Sequence, residues 1–231
     1  MIWTFAGAYN RCPAMKFAAT PPYDGTLQSY YRLPADLSAA PVRVSLSANS
    51  SFRCYKLPES VTLEQGALIE PLSVAVHAVH KVGNMPHAAN VVVFGAGPVG
   101  LLTMAVAKGL GARHVLAVDV QEPRLEFAKK YAADDYFVPS KPKDGESQTD
   151  ASRRTAAEIM KQFNYEERGS KGVDLVIDAT GAPPCIQTGI FLCKHGGSCV
   201  QVGMGPTEVE LPIGTLLQKS VCQLHQLSLY S

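Results

Sequence analysis

Three glycines and one aspartate have the types and the spacing of a dinucleotide-binding turn. Gly95, Gly97 and Gly100 form a Gly-x-Gly-x-x-Gly pattern directly after the apolar run 91–94, and Asp119 ends the next apolar run. In such a turn the first glycine permits the sharp bend and the second lets the backbone approach a pyrophosphate. The third glycine lets the following helix pack closely against the strand. A carboxylate at the end of the second strand accepts hydrogen bonds from ribose hydroxyls and repels a 2′-phosphate, so the pattern favours NAD over NADP.

The residues around this pattern predict the elements that position it. A continuous apolar run suits a strand that is buried on both faces of a parallel sheet. Pro98 suits the first turn of a helix that ends near Gly109. The amino end of this helix would present free N–H groups and a partial positive charge to a phosphate. An ordinary glycine-rich turn followed by an incidental acid is the alternative. The predicted cofactor contacts in this region are Gly95, Gly97, Val99, Gly100 and Asp119.

Downstream apolar runs predict more strands of the same sheet. The run 173–181 predicts a fourth strand that ends in a polar turn beside a ligand crevice, and 198–203 predicts the fifth. Between them, the Pro-, Lys-, Asp-, Gly- and Ser-rich segment 139–153 predicts a solvated loop, followed by a helix over 156–163. We therefore expect a parallel sheet of five strands within residues 75–231.

Composition excludes several classes of function. The chain has 231 residues, of which 46% are hydrophobic, and a net charge of +1. This charge gives no electrostatic case for binding nucleic acid or an anionic membrane. No apolar run approaches the roughly 20 residues that a membrane-spanning helix needs. The six cysteines form no Cys-x-x-Cys pair, so we expect reduced thiols and a cytoplasmic protein.

Glu70 is a candidate metal or substrate contact. Pro71 disfavours helical geometry at the residue before it, so Glu70 is predicted to cap a helix over 72–82 with its carboxylate projecting from the helix end. By the residues alone, an ordinary acid stabilised by the helix dipole is favoured over a ligand. His77 and His80 are three residues apart on the same helix, but no third ligand is nearby, which favours packing or solvation for both.

Several longer motifs, in order along the chain, resemble one family of enzymes. Segments 17–27, 54–58 and 66–77 read Phe-Ala-Ala-Thr-Pro-Pro-Tyr-Asp-Gly-Thr-Leu, Cys-Tyr-Lys-Leu-Pro and Gly-Ala-Leu-Ile-Glu-Pro-Leu-Ser-Val-Ala-Val-His. They resemble the zinc-dependent sorbitol/xylitol dehydrogenases, which are polyol dehydrogenases of the medium-chain dehydrogenase/reductase superfamily. Among these, the first segment is most similar to fungal xylitol dehydrogenases. The resemblance runs over residues 9–219 except for 38–53, which we interpret as an aberrant insert.

The resemblance implies a fold and a reaction. The fold would be a partial GroES-like, β-rich catalytic domain over 1–74 and a Rossmann doubly wound parallel sheet over 75–231. The reaction would be the NAD-dependent oxidation of a polyol to the ketose, a step of carbohydrate metabolism. In that reaction a zinc ion lowers the pKa of the bound alcohol before hydride transfer. The implied partner is a small-molecule polyol, with no nucleic acid and no membrane.

The same resemblance assigns roles to individual residues. Glu70 matches a glutamate of the catalytic zinc site, and Arg124 matches a position beside the adenosine of the cofactor. The backbone stretch that faces the nicotinamide is matched by Val202, Gly203 and Met204.

The chain also departs from the family. The family's other zinc ligands lie upstream of the matching region. One cysteine and one glutamate cannot hold a catalytic zinc, because such a zinc needs three protein ligands. After residue 219 the resemblance ends, so the sixth strand and the homodimer surface of the family are not expected. A catalytically defective NAD-binding fragment is therefore the alternative function. A methyltransferase with a glycine-rich turn fits less well, because it explains neither Glu70-Pro71 nor residues 202–204.

Overall fold

The chain divides into two compact units. The computed structural model of the protein describes residues 22–25, 29, 57–219 and 223–226, the last four by their backbone alone. One unit is Met1–Ala67 with Tyr230–Ser231, and the other is Leu68–Leu229. The domain boundary that we place between residues 74 and 75 stays a prediction. The interpretation of 38–53 as an insert, and most of the expected GroES-like domain, lie outside the described residues.

In the first unit, the described residues include one short helix with a reciprocal cap. Helix α1 is Leu63–Ala67. The Gln65 N–H donates to the Thr62 hydroxyl oxygen at 3.2 Å, and the Thr62 N–H donates to Gln65 Oε1 at 3.0 Å. These two bonds satisfy N–H groups that have no partner within a helix.

The second unit contains a parallel sheet in the strand order β3-β2-β1-β4-β5-β6. Its strands are β1 Asn90–Phe94, β2 His114–Val118, β3 Asp135–Phe137, β4 Val173–Asp178, β5 Cys193–Gln201 and β6 Gln223–Gln226. The order reverses between β1 and β4. In an open sheet of this kind, the crevice for a ligand opens at the carboxyl ends of the strands beside this reversal.

Strand β1 lies at the centre of the sheet and is buried on both faces, which explains its unbroken apolar run. Val91 and Val93 pack into one cluster of buried residues, whereas Val92 and Phe94 pack into another. Successive side chains point to opposite faces of a strand, so both faces of β1 are covered. The predicted doubly wound parallel sheet is confirmed.

The prediction of five strands was wrong. The sixth strand, β6, pairs in parallel with β5 from Ser198 opposite Gln223 to Gln201 opposite Gln226. The sequence Gln-Leu-His-Gln has one apolar residue and no strand pattern of its own. Its pairing with β5, rather than its local composition, makes it a strand.

Helices cover the sheet and connect its strands. They are α2 Ile69–Val76, α3 Pro98–Gly109, α4 Glu122–Tyr131, α5 Gln148–Phe163, α6 Pro183–Leu192 and α7 Ile213–Gln218. A π-helical segment, His77–Val82, continues α2. Within the described ranges, no helix is long and apolar enough to cross a membrane.

Helix α5 begins earlier than predicted, so the expected loop over 139–153 was too long. Ser147 caps the helix, because its hydroxyl oxygen accepts a hydrogen bond from the Asp150 N–H at 3.1 Å. The Arg154 guanidinium then binds Glu146 at 2.9 Å and Glu158 at 2.8 Å. The polar residues that suggested a loop therefore form the first turns of a helix and hold the remaining loop against it.

Candidate functional site

The glycine turn connects β1 to α3 as predicted. Gly95 has a φ of +95°, a conformation that side chains other than that of glycine rarely adopt. Its N–H donates to the carbonyl oxygen of Val118 at 2.8 Å and so fixes the turn to the end of β2. Gly97 is the N-cap of α3 and Pro98 is its first residue. The first-turn N–H groups of α3 have no partner within the helix and face the crevice end of the sheet.

The other two glycines of the pattern do different things. A Cβ atom added to Gly100 would lie 1.8 Å from the carbonyl oxygen of Gly95, so any larger residue must displace the turn. A Cβ atom added to Gly97 would meet nothing within 4 Å. Gly100 therefore serves packing, whereas the backbone at Gly97 is open to a ligand. Val99 packs partly buried against the core, and its carbonyl accepts from the Thr103 hydroxyl at 2.8 Å.

Asp119 lies against the glycine turn. Its Oδ2 accepts a hydrogen bond from the Ala96 N–H at 2.8 Å, and its Oδ1 accepts one from the Gln121 N–H at 2.9 Å. The first of these bonds joins the acid to the residue between Gly95 and Gly97. Sequence spacing predicts where this acid lies, but nothing in the spacing indicates that it also holds the turn.

Arg124 lies in the first turn of α4, five residues after Asp119. It is exposed, and within the described part of the chain its guanidinium makes no hydrogen bond or ion pair. The side chain is therefore available to a ligand at the end of β2.

A buried carboxylate organises the carboxyl ends of β4 and β5. Asp178 is 4% exposed. Its side chain accepts hydrogen bonds from the Thr180 N–H at 2.9 Å, the Thr180 hydroxyl at 2.5 Å and the Gly181 N–H at 3.0 Å. Its carbonyl oxygen accepts from the N–H groups of Val202 at 2.8 Å and Gly203 at 2.9 Å. Asp178 thus shapes the crevice from within.

Residues 202–204 differ in what they expose. The Val202 side chain is buried, whereas Met204 is 78% exposed. A Cβ atom on Gly203 would lie 2.3 Å from the Gly181 nitrogen, so the two loops meet backbone to backbone. Met204 and Gly203 line a pocket of about 760 Å³ together with Gly181, Ile186 and Gln201. Only the Met204 side chain and the Gly203 backbone therefore present a surface to this pocket.

Gln187 positions the loop that forms the outer wall of this pocket. It is 1% exposed, and its Nε2 donates to the carbonyl oxygen of Glu210 at 2.8 Å. Its Oε1 accepts from the Ser152 hydroxyl at 3.0 Å, which ties the loop to α5. Sequence reasoning missed this residue because a glutamine on a helix carries no signal that its partner lies 23 residues away.

Glu70 does not cap a helix as predicted. Helix α2 begins at Ile69 with Leu68 as its N-cap, so Glu70 lies within the first turn and is exposed. Pro71 is tolerated there because the N–H groups of a first turn have no helical partner in any case. A proline disfavours helical geometry at the residue before it, but Glu70 is helical here, so this preference of Pro71 is outweighed in α2.

His77 and His80, the two histidines considered as metal ligands, lie in the π-helical segment that follows α2. Burial and the nearby Lys81 lower the pKa of His77. Within residues 22–25, 29 and 57–219, no three His, Cys, Asp or Glu side chains are grouped so that they could hold a metal ion. The described residues therefore do not fit a catalytic zinc, which needs three protein ligands and an open position.

Comparison with known proteins shows the family of proteins to which the chain belongs. The sequence profile of the family described as zinc-binding dehydrogenase matches residues 98–227. The chain belongs to this family.

Individual relatives and solved structures show which members of the family the chain is similar to. The chain is 50% identical over 208 residues to the D-xylulose reductase A of Aspergillus niger. The aligned region covers 90% of this chain and 50% of that protein. Among solved structures, L-idonate 5-dehydrogenase from Escherichia coli has a TM-score of 0.72 at 25% identity, covering 100% of this chain and 58% of that one. For 2R,3R-butanediol dehydrogenase from Bacillus subtilis the TM-score is 0.61 at 28% identity. The matched region covers 75% of this chain and 44% of that one. The expected resemblance to polyol dehydrogenases is confirmed, and the chain spans about half the length of these relatives.

Proposed function

We propose that this chain binds NAD at the carboxyl edge of its sheet and forms part of a dehydrogenase that oxidises a polyol of the xylitol or sorbitol type to the ketose. The observation that carries the proposal is the glycine turn, where Gly97 is open and the Asp119 carboxylate is bound beside it. The similarity to proteins named D-xylulose reductase supports the substrate class.

Each part of the cofactor has a counterpart among the residues. The pyrophosphate would lie over Gly97 at the amino end of α3. Each Asp119 oxygen accepts one backbone N–H and keeps a second lone pair for a ribose hydroxyl. Arg124 would lie along the adenosine, and the nicotinamide would enter the 760 Å³ pocket against Met204. When bound, NAD supplies the nicotinamide that accepts a hydride from the alcohol carbon.

Zinc is the second cofactor that the family implies. Because the described residues provide no set of three ligands, we derive no catalytic step through the metal. We propose Glu70 as a ligand and catalytic residue of the zinc site on resemblance alone. Its exposed position in the first turn of α2 leaves the carboxylate accessible. A second candidate function is NAD binding without turnover, because the described residues offer no set of three ligands.

The proposed partner is a small-molecule polyol. We also propose a cytoplasmic location. This part is supported by the free thiol of Cys185, since the cytosol keeps thiols reduced.

Two measurements on the purified chain test the proposal. Calorimetric titration should show that NAD binds and that NADP binds more weakly. An assay for NADH formation with xylitol and with sorbitol then separates the two candidate functions. NAD binding with polyol-dependent NADH formation supports the dehydrogenase, and NAD binding without it supports the second candidate. A chain that folds but does not bind NAD contradicts both.

A further inference from the structure

A second pocket, of about 350 Å³, lies at the amino end of β5, away from the cofactor crevice at its carboxyl end. Its walls come from α5, the end of α6, the start of β5 and the region of α7. We call it the basic pocket. The polar and aromatic residues that define it are Arg153, Phe191, His195, Thr215, Gln218 and Lys219.

Arg153 forms one side of the basic pocket and is held on an aromatic ring. The carbon at the centre of its guanidinium lies 4.4 Å from the ring centroid of Phe191, which is 6% exposed. Among the described residues Arg153 has no carboxylate partner. Stacking fixes the plane of a guanidinium and leaves the N–H groups at its edge free to bind an anion in a forked geometry. Arg153 is therefore both positioned and available.

Lys219 places a second positive charge at the same phenylalanine. The side chain is 5% exposed, and its Nζ donates to the carbonyl oxygens of Phe191 at 2.5 Å and Cys193 at 2.7 Å. These carbonyls lie at the C-terminal end of α6, where a positive charge is favourable. An ammonium group has three donors, and within the described residues the third has no acceptor. A buried charge without an acidic partner is costly, so an anion that neutralises Lys219 would be stabilised.

The remaining polar residues add donors of other kinds. Thr215 and Gln218 are three residues apart, so they lie on one face of α7. In the part of the chain that the structure describes, the side chains of Thr215, Gln218 and His195 make no hydrogen bond. The pocket also has one carboxylate, that of Glu167, which accepts hydrogen bonds but repels an anion placed beside it.

We propose that the basic pocket binds a phosphomonoester of a small hydroxylated molecule. The phosphate would lie near Phe191, between Arg153 and Lys219, because ionised donors make the strongest hydrogen bonds to phosphate oxygens. Glu167 and Gln218 would bind hydroxyl groups of the organic part. A volume of 350 Å³ is within the range of small-molecule sites and has room for more than a phosphate ion.

The test compares three probes on the whole chain at constant ionic strength. Calorimetric titration uses sn-glycerol 3-phosphate, inorganic phosphate and glycerol, each in the presence of saturating NAD. We expect saturable binding of glycerol 3-phosphate with a dissociation constant of about 1 mM or lower. Inorganic phosphate should bind more weakly and glycerol not at all. Equal affinity for the two phosphates, or no binding of either, would overturn the proposal.

Variants locate the site. Arg153→Gln should weaken binding of glycerol 3-phosphate by about tenfold or more, since one charged donor is lost. Arg168→Gln is the matched control, because it removes the same charge from an exposed residue that does not line the pocket. Gln218→Leu should weaken glycerol 3-phosphate more than inorganic phosphate. Lys219→Met should abolish binding if it folds. If it does not fold, Arg153→Gln and Gln218→Leu decide the matter.

Phosphate could also bind at the glycine turn. Binding that disappears when NAD is added, and that Arg153→Gln leaves unchanged, would place the anion there and overturn the proposal.

Discussion

Replacing Asp119 by alanine removes a side chain with one role in the structure and a second that we propose. The carboxylate accepts backbone hydrogen bonds from Ala96 and Gln121, and we propose that it also binds the ribose of NAD. The variant Asp119→Ala should therefore weaken NAD binding and lower the free energy of unfolding. Loss of the ribose contact alone would not lower stability, so the two effects can be separated.

The expected magnitudes follow from these contacts. A hydrogen bond to a charged group contributes about 1.5–3 kcal/mol, so losing the ribose contact should weaken NAD binding by about ten- to a hundredfold. The released N–H groups of Ala96 and Gln121 belong to a turn where Asp119 itself is only half-buried. Water can partly replace the lost acceptor, so the free energy of unfolding should fall by about 1–2 kcal/mol.

The assay is calorimetric titration with NAD and with NADP, together with denaturant unfolding of the same protein. Asp144→Ala is the matched control, since Asp144 is exposed and makes no side-chain hydrogen bond within the described residues. Because the carboxylate also repels a 2′-phosphate, the ratio of the NADP to the NAD dissociation constant should decrease in Asp119→Ala. An unchanged dissociation constant for NAD in a folded variant would refute the ribose contact. Unchanged stability would refute the role in holding the turn.

Three further predictions concern the glycine turn, the metal and the α5 cap region. Gly97→Ala should weaken NAD binding with little change in melting temperature, whereas Gly100→Ala should lower both, because only the second Cβ meets the Gly95 carbonyl. Equal melting temperatures for the two variants would contradict this packing. Elemental analysis of the purified chain should find less than one zinc per chain, and a stoichiometric, tightly held zinc would show that residues outside the described ranges complete a site. The Arg154 guanidinium lowers the pKa of Glu146 from 4.5 to about 2. The stability contributed by this pair is therefore present above pH 4.5 and lost as the pH falls towards 2. In that window Glu146→Gln should flatten the pH dependence of the melting temperature, and an unchanged profile would argue against the pair.

Local patterns were sufficient for the central strands and for the turn. The run 91–94, the glycines after it and Asp119 each carry their own signal, because a buried parallel strand is apolar on both faces and a tight turn needs glycine. Helix α3 was also predicted within one residue, since a proline stands at its start and a glycine at its end. These features depend on residues that are close together in the chain.

Features whose partners are distant in sequence could not be predicted. Strand β6 exists through its pairing with β5, and the loop before α5 is shorter than its composition suggests because Ser147 caps the helix. Glu70 lies inside a helix although the proline after it favours an extended residue. In each case a tertiary or capping contact outweighs a weak local preference.

The sequence by itself determined the fold class, the order of strand, turn, helix and acid, and the family to which the chain belongs. Only the tertiary structure decided which groups of the protein these side chains contact. It placed the Asp119 carboxylate on Ala96, 23 residues away, and the Lys219 ammonium on the Phe191 carbonyl, 28 residues away. The physical reason is that periodicity and turn propensity act over a few residues. Hydrogen bonds to buried or half-buried charges instead depend on which chain segments the folded sheet brings together.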